Sequence, residues 1–232
     1  DALVAHGYTS VHEAGADDAL LATLEKLEAQ RQLKLPVYVM VAARDTTLMD
    51  AWRKRGPMPF NGQFVVVRCV KAFYDGAMGS RGAFFFEDYS DRPGHRGTGG
   101  KDYGFDRDRM ATMMRAGFQV VIHAIGDRAN REALDFFQEL MAASPDAKQS
   151  RPRIEHAQVI HPDDVPRFAR EGVIPSVQGQ FACSDGPWVA ERLGEARTRE
   201  RGYLFRTLMD GGALVTNGTD PPVEEIDPIA SF

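Results

Sequence analysis

The sequence lacks several features that mark particular classes of protein. It has only two cysteines, Cys69 and Cys183, without CxxC spacing, so no disulfide framework is expected and both are interpreted as buried thiols. No apolar run reaches the roughly 18 residues that a membrane-spanning helix needs. The formal net charge is −5 and no run of Lys or Arg occurs, so nothing indicates binding to nucleic acid.

Nucleotide-binding signatures are missing as well. No G-x-G-x-x-G or Walker sequence occurs, and Gly-Thr-Gly-Gly at 97–100 has neither the spacing nor the strand context of a phosphate loop. The chain starts at Asp1, not at methionine, and residues 229–232 resemble the first turn of a helix. We therefore expect an internal fragment of a longer protein. An internal fragment does not show the N-terminal segment that determines localisation, and a cytoplasmic location is favoured.

The residues that are present have ordinary globular composition: 232 residues, 43% hydrophobic and 26% charged, enough for one large α/β domain or two small ones. Apolar runs alternate with helical periodicity, which predicts a parallel sheet. Residues 4–11 read as the run into a first strand, with a short β-rich run at 9–12, and the other predicted strands are 37–41, 64–73, 118–123, 153–157, 173–177 and 213–217. Predicted helices are 19–33, a short one after 45, 106–117, 127–143, 162–171 and one reaching about 210.

Seven strand–helix units of about 30 residues fit an eight-unit (β/α) barrel that lacks one unit. A doubly wound open sheet is the alternative. Two long stretches, 75–105 and 178–194, show no regular pattern, and loops of that length inside a compact domain are usually binding loops or lids.

Four predicted strands end in one polar side chain each, and the strand ends of a (β/α) barrel meet at the mouth that holds its chemistry. These residues are Lys71, His123, His156 and Asp220. Neutral imidazole is the commonest protein ligand of zinc, and a catalytic zinc keeps one coordination position open. A carboxylate in this set can bind a metal and also accept the proton of an attacking water. The order Lys, His, His, Asp suggests a metal-hydrolase site.

Each of these residues also has a purely structural interpretation. A histidine at a strand end can hydrogen-bond within the core, and Asp220 can cap the turn before the following prolines. Lys71 can form a salt bridge to Asp75 or Glu155, because a buried ammonium group needs a partner. Lys71 can instead be carboxylated by CO₂ and bridge two metals as a carbamate, or act as a buried base.

Longer segments around these residues resemble the amidohydrolase superfamily, specifically the family 3 group often called YtcJ-like. The resemblance rests on residues 7–15, 70–81, 122–130, 153–158, 175–178 and 218–223. It runs through nearly the whole chain in the right order and implies a TIM-type, metal-dependent (β/α)₈ barrel with a small terminal β-sandwich. Residues 1–232 are then a catalytic barrel domain of about strands 2 to 8, without the first strand and the sandwich.

The resemblance further implies that Lys71, His123, His156 and Asp220 bind one or two divalent ions, with zinc expected and a carbamate on Lys71 left open. The implied reaction is hydrolysis of amide, N-acyl or N-formyl C–N bonds in a small-molecule substrate. A metal-activated water attacks the carbonyl, and Asp220 is the catalytic residue that takes and returns the proton. The residues expected on the substrate side are Asp75, Arg81, Gln178, Phe181 and Trp188.

Two departures from the family pattern leave other interpretations open. The His-x-His pair of the first strand is absent from this chain, and Phe181 stands where the family usually has a histidine. One alternative is a truncated or non-catalytic barrel with a structural or interaction role. Another is a metal-free barrel that uses Lys71 as a base or Schiff-base nucleophile. Because a seven-stranded barrel has two open edges, association into a homo-oligomer is also expected.

Overall fold

The computed structural model describes residues 1–232 and contains seven strands and eleven α-helices. The strands are β1 (Val11–Ala16), β2 (Val37–Ala42), β3 (Val65–Phe73), β4 (Gln119–Ala124), β5 (Arg153–His156), β6 (Ile174–Val177) and β7 (Thr216–Asn217). The helices are α1 (Ala2–Ala5), α2 (Asp18–Ala29), α3 (Thr46–Arg55), α4 (Arg107–Arg115), α5 (Asp127–Ala143), α6 (Val165–Glu171), α7 (Phe181–Ser184), α8 (Val189–Leu193), α9 (Glu195–Arg201), α10 (Phe205–Asp210) and α11 (Pro228–Ser231). Short 3₁₀ helices occupy Gly100–Tyr103, Pro145–Ser150 and Pro162–Asp164. None of the helices is long and apolar enough to cross a membrane.

The strands form one sheet in which their order follows the chain from β1 to β7. The pairs β1–β2, β2–β3, β5–β6 and β6–β7 are parallel, as the alternation of strands and helices predicts. A doubly wound sheet reverses its strand order partway, at the point where its ligand binds. The sequential order found here is instead that of a barrel-type topology.

The chain divides into two compact units, and the first comprises residues 1–72 and 108–121. Two of its helices, α2 and α3, begin at acidic caps: Asp17 accepts a hydrogen bond from Leu20 N, and Asp45 accepts one from Leu48 N, both at 3.0 Å. Such caps satisfy backbone donors that have no partner within the helix. The buried core of this unit is rich in valine and methionine and includes Val39, Val41, Met49, Trp52, Val65, Val67, Val70, Met110, Met113 and Met114.

The second unit comprises residues 73–107 and 122–232. Every residue of β5 and β6 is buried, which is typical of strands covered on both faces. The irregular stretch 75–105 is packed into this unit, because its buried residues join those of α8 in one apolar cluster. The cluster consists of Met78, Ala83, Phe85, Tyr89, Ile125, Val159, Val189 and Leu193. The long loop is therefore ordered and packed against the rest of this unit.

The predicted strand boundaries fail at the two ends of the chain. Residues 2–5 form the single turn α1, whose alanines and leucine favour helix, instead of leading into a strand. The predicted strand 213–217 shrinks to the two residues of β7. β7 has one neighbour in the sheet, and Leu214 is 56% exposed although Ala213 is buried, so most of the apolar run lies outside the core.

Three further predictions need correction. Residues 178–194 contain the short helices α7 and α8 instead of being irregular throughout. The predicted helix reaching residue 210 is interrupted between α9 and α10, where Tyr203 adopts a left-handed φ of 52° that no α-helix can continue through. Both cysteines are free as expected, but Cys69 is buried and Cys183 is exposed.

Candidate functional site

His123 is delivered by a strand that is almost wholly buried. It is the fifth residue of β4, in which every position after Gln119 is buried. The His123 backbone oxygen accepts a hydrogen bond from Tyr74 N at 2.9 Å, which fixes the strand end beside the residues that follow β3. The imidazole is packed against the Phe73 ring, with the ring centroids 5.0 Å apart. Its Nε2 lies 3.5 Å from Oδ1 of Asp75.

His156 is the last residue of β5 and adopts an unusual backbone conformation. Its φ is 74°, and the following Ala157 has a φ of 42°. Left-handed conformations are uncommon outside glycine and are costly for L-residues. Ala157 N donates to Ala124 O at 3.2 Å, which helps to hold the turn. Two consecutive residues of this kind turn the chain sharply where the imidazole is presented, and such strain is concentrated at functional sites.

The two imidazoles lie side by side in the second unit. Their ring centroids are 4.4 Å apart at an interplanar angle of 71°, and both residues are buried. Nδ1 of His156 lies 2.7 Å from Oε1 of Gln178, whose amide nitrogen is within 3.4 Å of Ser176 O. Because the amide oxygen only accepts, this arrangement places the imidazole proton on Nδ1.

Asp75 is fully buried and anchors the loop that follows β3. Its carboxylate accepts hydrogen bonds from three backbone amides, Phe84 N at 2.8 Å, Ile125 N at 3.0 Å and Gly126 N at 2.9 Å. Burial raises the pKa of Asp75 to about 7, and the backbone hydrogen bonds act in the opposite direction. Asp75 was predicted to be on the substrate side, but its oxygens are directed at the backbone and one is near His123.

Asp220 follows β7 in a tight turn. Gly218 N donates to Val177 O, and Val223 N donates to Asp220 O, both at 2.9 Å. Asp220 is half-buried and has a φ of 52°. The predicted catalytic carboxylate is thus also held in the left-handed region, where Asp and Asn are tolerated better than most residues.

Lys71 lies in the first unit, near the end of β3. It is 4% exposed, pairs in register with Ala42 on β2, and its oxygen accepts a hydrogen bond from Ala43 N at 2.9 Å. The structure therefore confirms the buried strand position that makes this lysine unusual. Its role as a ligand stays a prediction.

The other predicted substrate residues fall into two groups. Gln178 and Phe181 lie at His156, because the Phe181 ring is stacked on the imidazole with centroids 5.9 Å apart at an interplanar angle of 20°. Arg81 and Trp188 lie with the long loop. Arg81 forms a bidentate ion pair with Asp91, in which Nε lies 3.1 Å from Oδ1 and Nη2 lies 2.7 Å from Oδ2.

The structure contains no group of three or more His, Cys, Asp or Glu side chains placed to hold a metal ion. The part of a metal centre that it does support is the pair of adjacent, buried imidazoles of His123 and His156. Two neighbouring imidazoles suit zinc and similar divalent ions. This donor set fits the group that the sequence implies.

Sequence reasoning missed several residues around this pair. The sequence pattern places Phe73 only in the strand 64–73 and does not indicate that its ring is packed against His123. Gln158 is buried two residues beyond His156 and forms hydrogen bonds with Asp185 and Tyr203. A polar residue just after a strand end is a signal that could have singled out Gln158. No local signal connects it to a tyrosine 45 residues further along the chain.

The whole chain is similar to a known protein family. The model of the amidohydrolase family matches residues 1–232. The protein LONG AFTER FAR-RED 3 of Arabidopsis thaliana is 40% identical over 163 residues, which are 70% of this chain and 28% of that protein. YtcJ of Bacillus subtilis (strain 168) is 32% identical over 185 residues, 78% of this chain and 33% of YtcJ.

Among solved structures, a metal-dependent hydrolase from Pyrococcus furiosus matches with a TM-score of 0.85 and 30% identity, covering 99% of this chain and 46% of that one. The chain thus spans about a third of the length of the two curated relatives and less than half of the solved structure. Its parallel sheet and helices correspond to part of the TIM-type barrel of that family.

Proposed function

Because this chain belongs to the amidohydrolase family, we propose that its protein is a metal-dependent hydrolase that cleaves a C–N bond of amide, N-acyl or N-formyl type. The observation that carries the proposal is the pair of buried imidazoles on β4 and β5, 4.4 Å apart. Two further observations support it. The Gln178 amide fixes the tautomer of His156, and the strained backbone at residues 156–157 has a cost that function can explain.

In this proposal His123 and His156 hold a divalent ion, for which zinc is our choice on the chemistry of imidazole ligands. Lys71 and Asp220 are the proposed further ligands, and a carbamate on Lys71 would allow a second ion. The bound metal supplies a Lewis acid that activates water and polarises the substrate carbonyl. Gln178 contributes by holding the His156 ring in one orientation and one tautomer.

Asp220 is the proposed catalytic residue. Its carboxylate oxygens accept a proton from the attacking water and return it to the leaving nitrogen, the usual task of a positioned general base. The tight turn that contains Asp220 sets the direction of the carboxylate, because a φ of 52° leaves little conformational freedom. Half-burial keeps the side chain accessible to small molecules.

Phe181 and Gln178 are proposed to form the substrate-side wall next to His156, and Trp188 extends it along α8. The stacked Phe181 ring offers an apolar surface beside the reacting group, which favours a substrate with an apolar or aromatic substituent. Arg81 and Asp75 are proposed to act indirectly, through the shape of the loop at 75–105. Both of them already bind other groups of the protein.

Metal content tests the proposal most directly. We expect near-stoichiometric zinc, by elemental mass spectrometry, in the gently purified protein and a loss of that zinc when His123 and His156 are both replaced by alanine. His6→Ala is the matched control, because His6 is exposed and its ring contacts only Ala2 O in its own helix turn. Retention of metal by the double variant, or hydrolysis of N-acyl amides that survives a chelator, would overturn the proposal.

One observation favours the second candidate function, a barrel with a structural role. Phe181 occupies the place where the resemblance predicts a histidine, and its ring is packed on the candidate ligand His156. A protein that binds no metal and hydrolyses no amide, but folds and associates, would fit that alternative. The same metal measurement separates the two functions.

A further inference from the structure

We propose that Gln158, Asp185 and Tyr203 form a polar latch that holds the segment 178–194 against His156, with Asp185 as a positioning residue for substrate. This inference rests on the proposed function and deepens it, because it identifies what fixes the substrate-side wall. The three residues come from three separate parts of the chain: the turn after β5, the junction of α7 and α8, and the break between α9 and α10.

The three latch residues form a closed hydrogen-bond network. Oδ2 of Asp185 accepts a hydrogen bond from the Tyr203 hydroxyl at 2.8 Å and a second from the side-chain amide of Gln158. The same Gln158 nitrogen lies 3.2 Å from the Tyr203 oxygen. The Gln158 backbone oxygen accepts a further bond from Tyr203 N at 2.8 Å. Each residue is therefore held by both of the others.

The backbone of Asp185 connects this network to the candidate site. Asp185 N donates to Phe181 O at 2.9 Å, and Asp185 O accepts from Trp188 N at 2.9 Å and Val189 N at 2.8 Å. Asp185 thus joins the helix that begins with Phe181 to the helix that follows Trp188. Since Phe181 is stacked on His156, a displacement of Asp185 would move the aromatic wall away from the imidazole.

The free energy needed to keep the Asp185 carboxylate partly buried is hard to explain if the latch serves only to stabilise the fold. Asp185 is half-buried, and its carboxylate is held by two neutral donors while the charged group that acts on it is another carboxylate, that of Glu224. Burial raises the pKa of Asp185. Partial burial of a carboxylate whose hydrogen-bond donors are neutral is unfavourable, and groups of this kind are concentrated at functional sites.

Backbone strain at Tyr203 supports the same inference. Tyr203 has a φ of 52°, in a region that aromatic residues seldom occupy. The chain before Tyr203 is fixed by Ile160 N, which donates to Arg201 O at 2.9 Å, and by an antiparallel bridge between Val159 and Gly202. Tyr203 is therefore strained at the position from which its hydroxyl donates to Asp185. Strained residues of this kind persist where the surrounding structure holds them in place.

The test uses the metal-loaded protein with Asp185→Ala and Tyr203→Phe, and N-acetylphenylalanine and N-acetylglycine as probes. We expect KM for N-acetylphenylalanine to rise about 10-fold or more in Asp185→Ala, the effect of losing hydrogen bonds to a charged group, with a smaller change in kcat. KM for N-acetylglycine should change less, because it lacks the aromatic group. Asp210→Ala is the matched control, since Asp210 is an exposed aspartate paired with Arg206 within α10.

A second measurement does not depend on activity. The chain has two tryptophans, and Trp52 is 3% exposed, so acrylamide quenching of tryptophan fluorescence reports mainly on Trp188. We expect more quenching in both latch variants than in the wild type or Asp210→Ala. If Asp185→Ala does not fold, Tyr203→Phe decides, because it removes a single hydroxyl. Unchanged quenching together with unchanged KM would overturn the latch.

Failure of the latch and failure of the proposed function are distinguishable. If the metal-loaded wild type hydrolyses neither probe, the proposed activity fails for N-acyl amino acids, and quenching alone decides the latch. If the wild type is active and the variants match it in both KM and quenching, the proposed function stands and the latch is wrong.

Discussion

The candidate site combines two kinds of strand end. The packed strand ends (residues 122–130 and 153–160) are almost wholly buried and present the two histidines from β4 and β5. The open strand end (residues 216–223) is mostly exposed and presents Asp220 from a strand of two residues. Both ends use left-handed residues at the functional side chain, but only the packed strand ends enclose those residues in a core.

This difference separates two tasks of a hydrolytic site. Ligands need to be held in place before the metal arrives, because pre-organisation lowers the cost of binding. A residue that carries a proton between two positions needs less enclosure and more access. We infer that the packed strand ends contribute more to metal affinity, while the open strand end, whose Asp220 is also a proposed ligand, contributes more to turnover.

The sharpest challenge to that division is Asp220→Asn. Asparagine tolerates the left-handed backbone as aspartate does, so the turn should persist while the proton acceptor is lost. We expect kcat for N-acyl amides to fall by about 10²–10⁴-fold, the usual contribution of a general base, with little change in melting temperature. A loss of stability as large as that of a core variant would show that the open strand end is structural after all.

A pair of glycines tests how differently the two ends are packed. A Cβ on Gly126 would lie 2.5 Å from the Phe84 carbonyl carbon and closer still to its oxygen, whereas a Cβ on Gly218 would meet nothing within 4 Å. We expect Gly126→Ala to lower the free energy of unfolding by about 3 kcal/mol through overpacking. Gly218→Ala should change it by less than about 1 kcal/mol. Equal effects in urea denaturation would contradict the comparison.

A pair of asparagines gives the smallest expected effects. Nδ2 of Asn130 lies between 3.0 and 3.3 Å from four backbone oxygens, those of Ala124, Ile125, Gly126 and Val159. Asn217 accepts from Gly179 N at 2.9 Å and donates to Ser231 O at 3.0 Å. Because Asn130 is fully buried and Asn217 is exposed, Asn130→Ala should cost about 2 kcal/mol and Asn217→Ala about 1 kcal/mol or less. Thermal unfolding of both variants side by side measures the difference, and a larger loss for Asn217 would reverse our ranking.

The packed strand ends were predictable from sequence for a physical reason. Continuous apolar runs identify strands that are buried on both faces, and a histidine that ends such a run is placed at the strand end by its position in the sequence. The prediction of helix 127–143 agrees with α5 to the residue. The same reasoning failed at β7. The predicted strand 213–217 follows two glycines and precedes the turn with Asp220, and most of it lies outside the sheet.

Contacts between distant segments were not predictable. The closeness of Phe181 to His156, and of Asp185 to Gln158 and Tyr203, depends on how short helices fold over the sheet. No periodicity or cap reports such contacts, and α7 and α8 themselves were missed because helices of four and five residues leave no periodic signal. The sequence therefore predicted the strand-end positions of His123 and His156 better than the residues that surround them.

The two left-handed residues at 156–157 also bear on how this site can evolve. A position with positive φ excludes β-branched side chains on steric grounds and accepts glycine, asparagine, aspartate or histidine most readily. Of those four, histidine, aspartate and to a lesser degree asparagine can donate electrons to a metal. The backbone at residue 156 thus restricts mutation to a small set of side chains, most of which are chemically able to bind a metal.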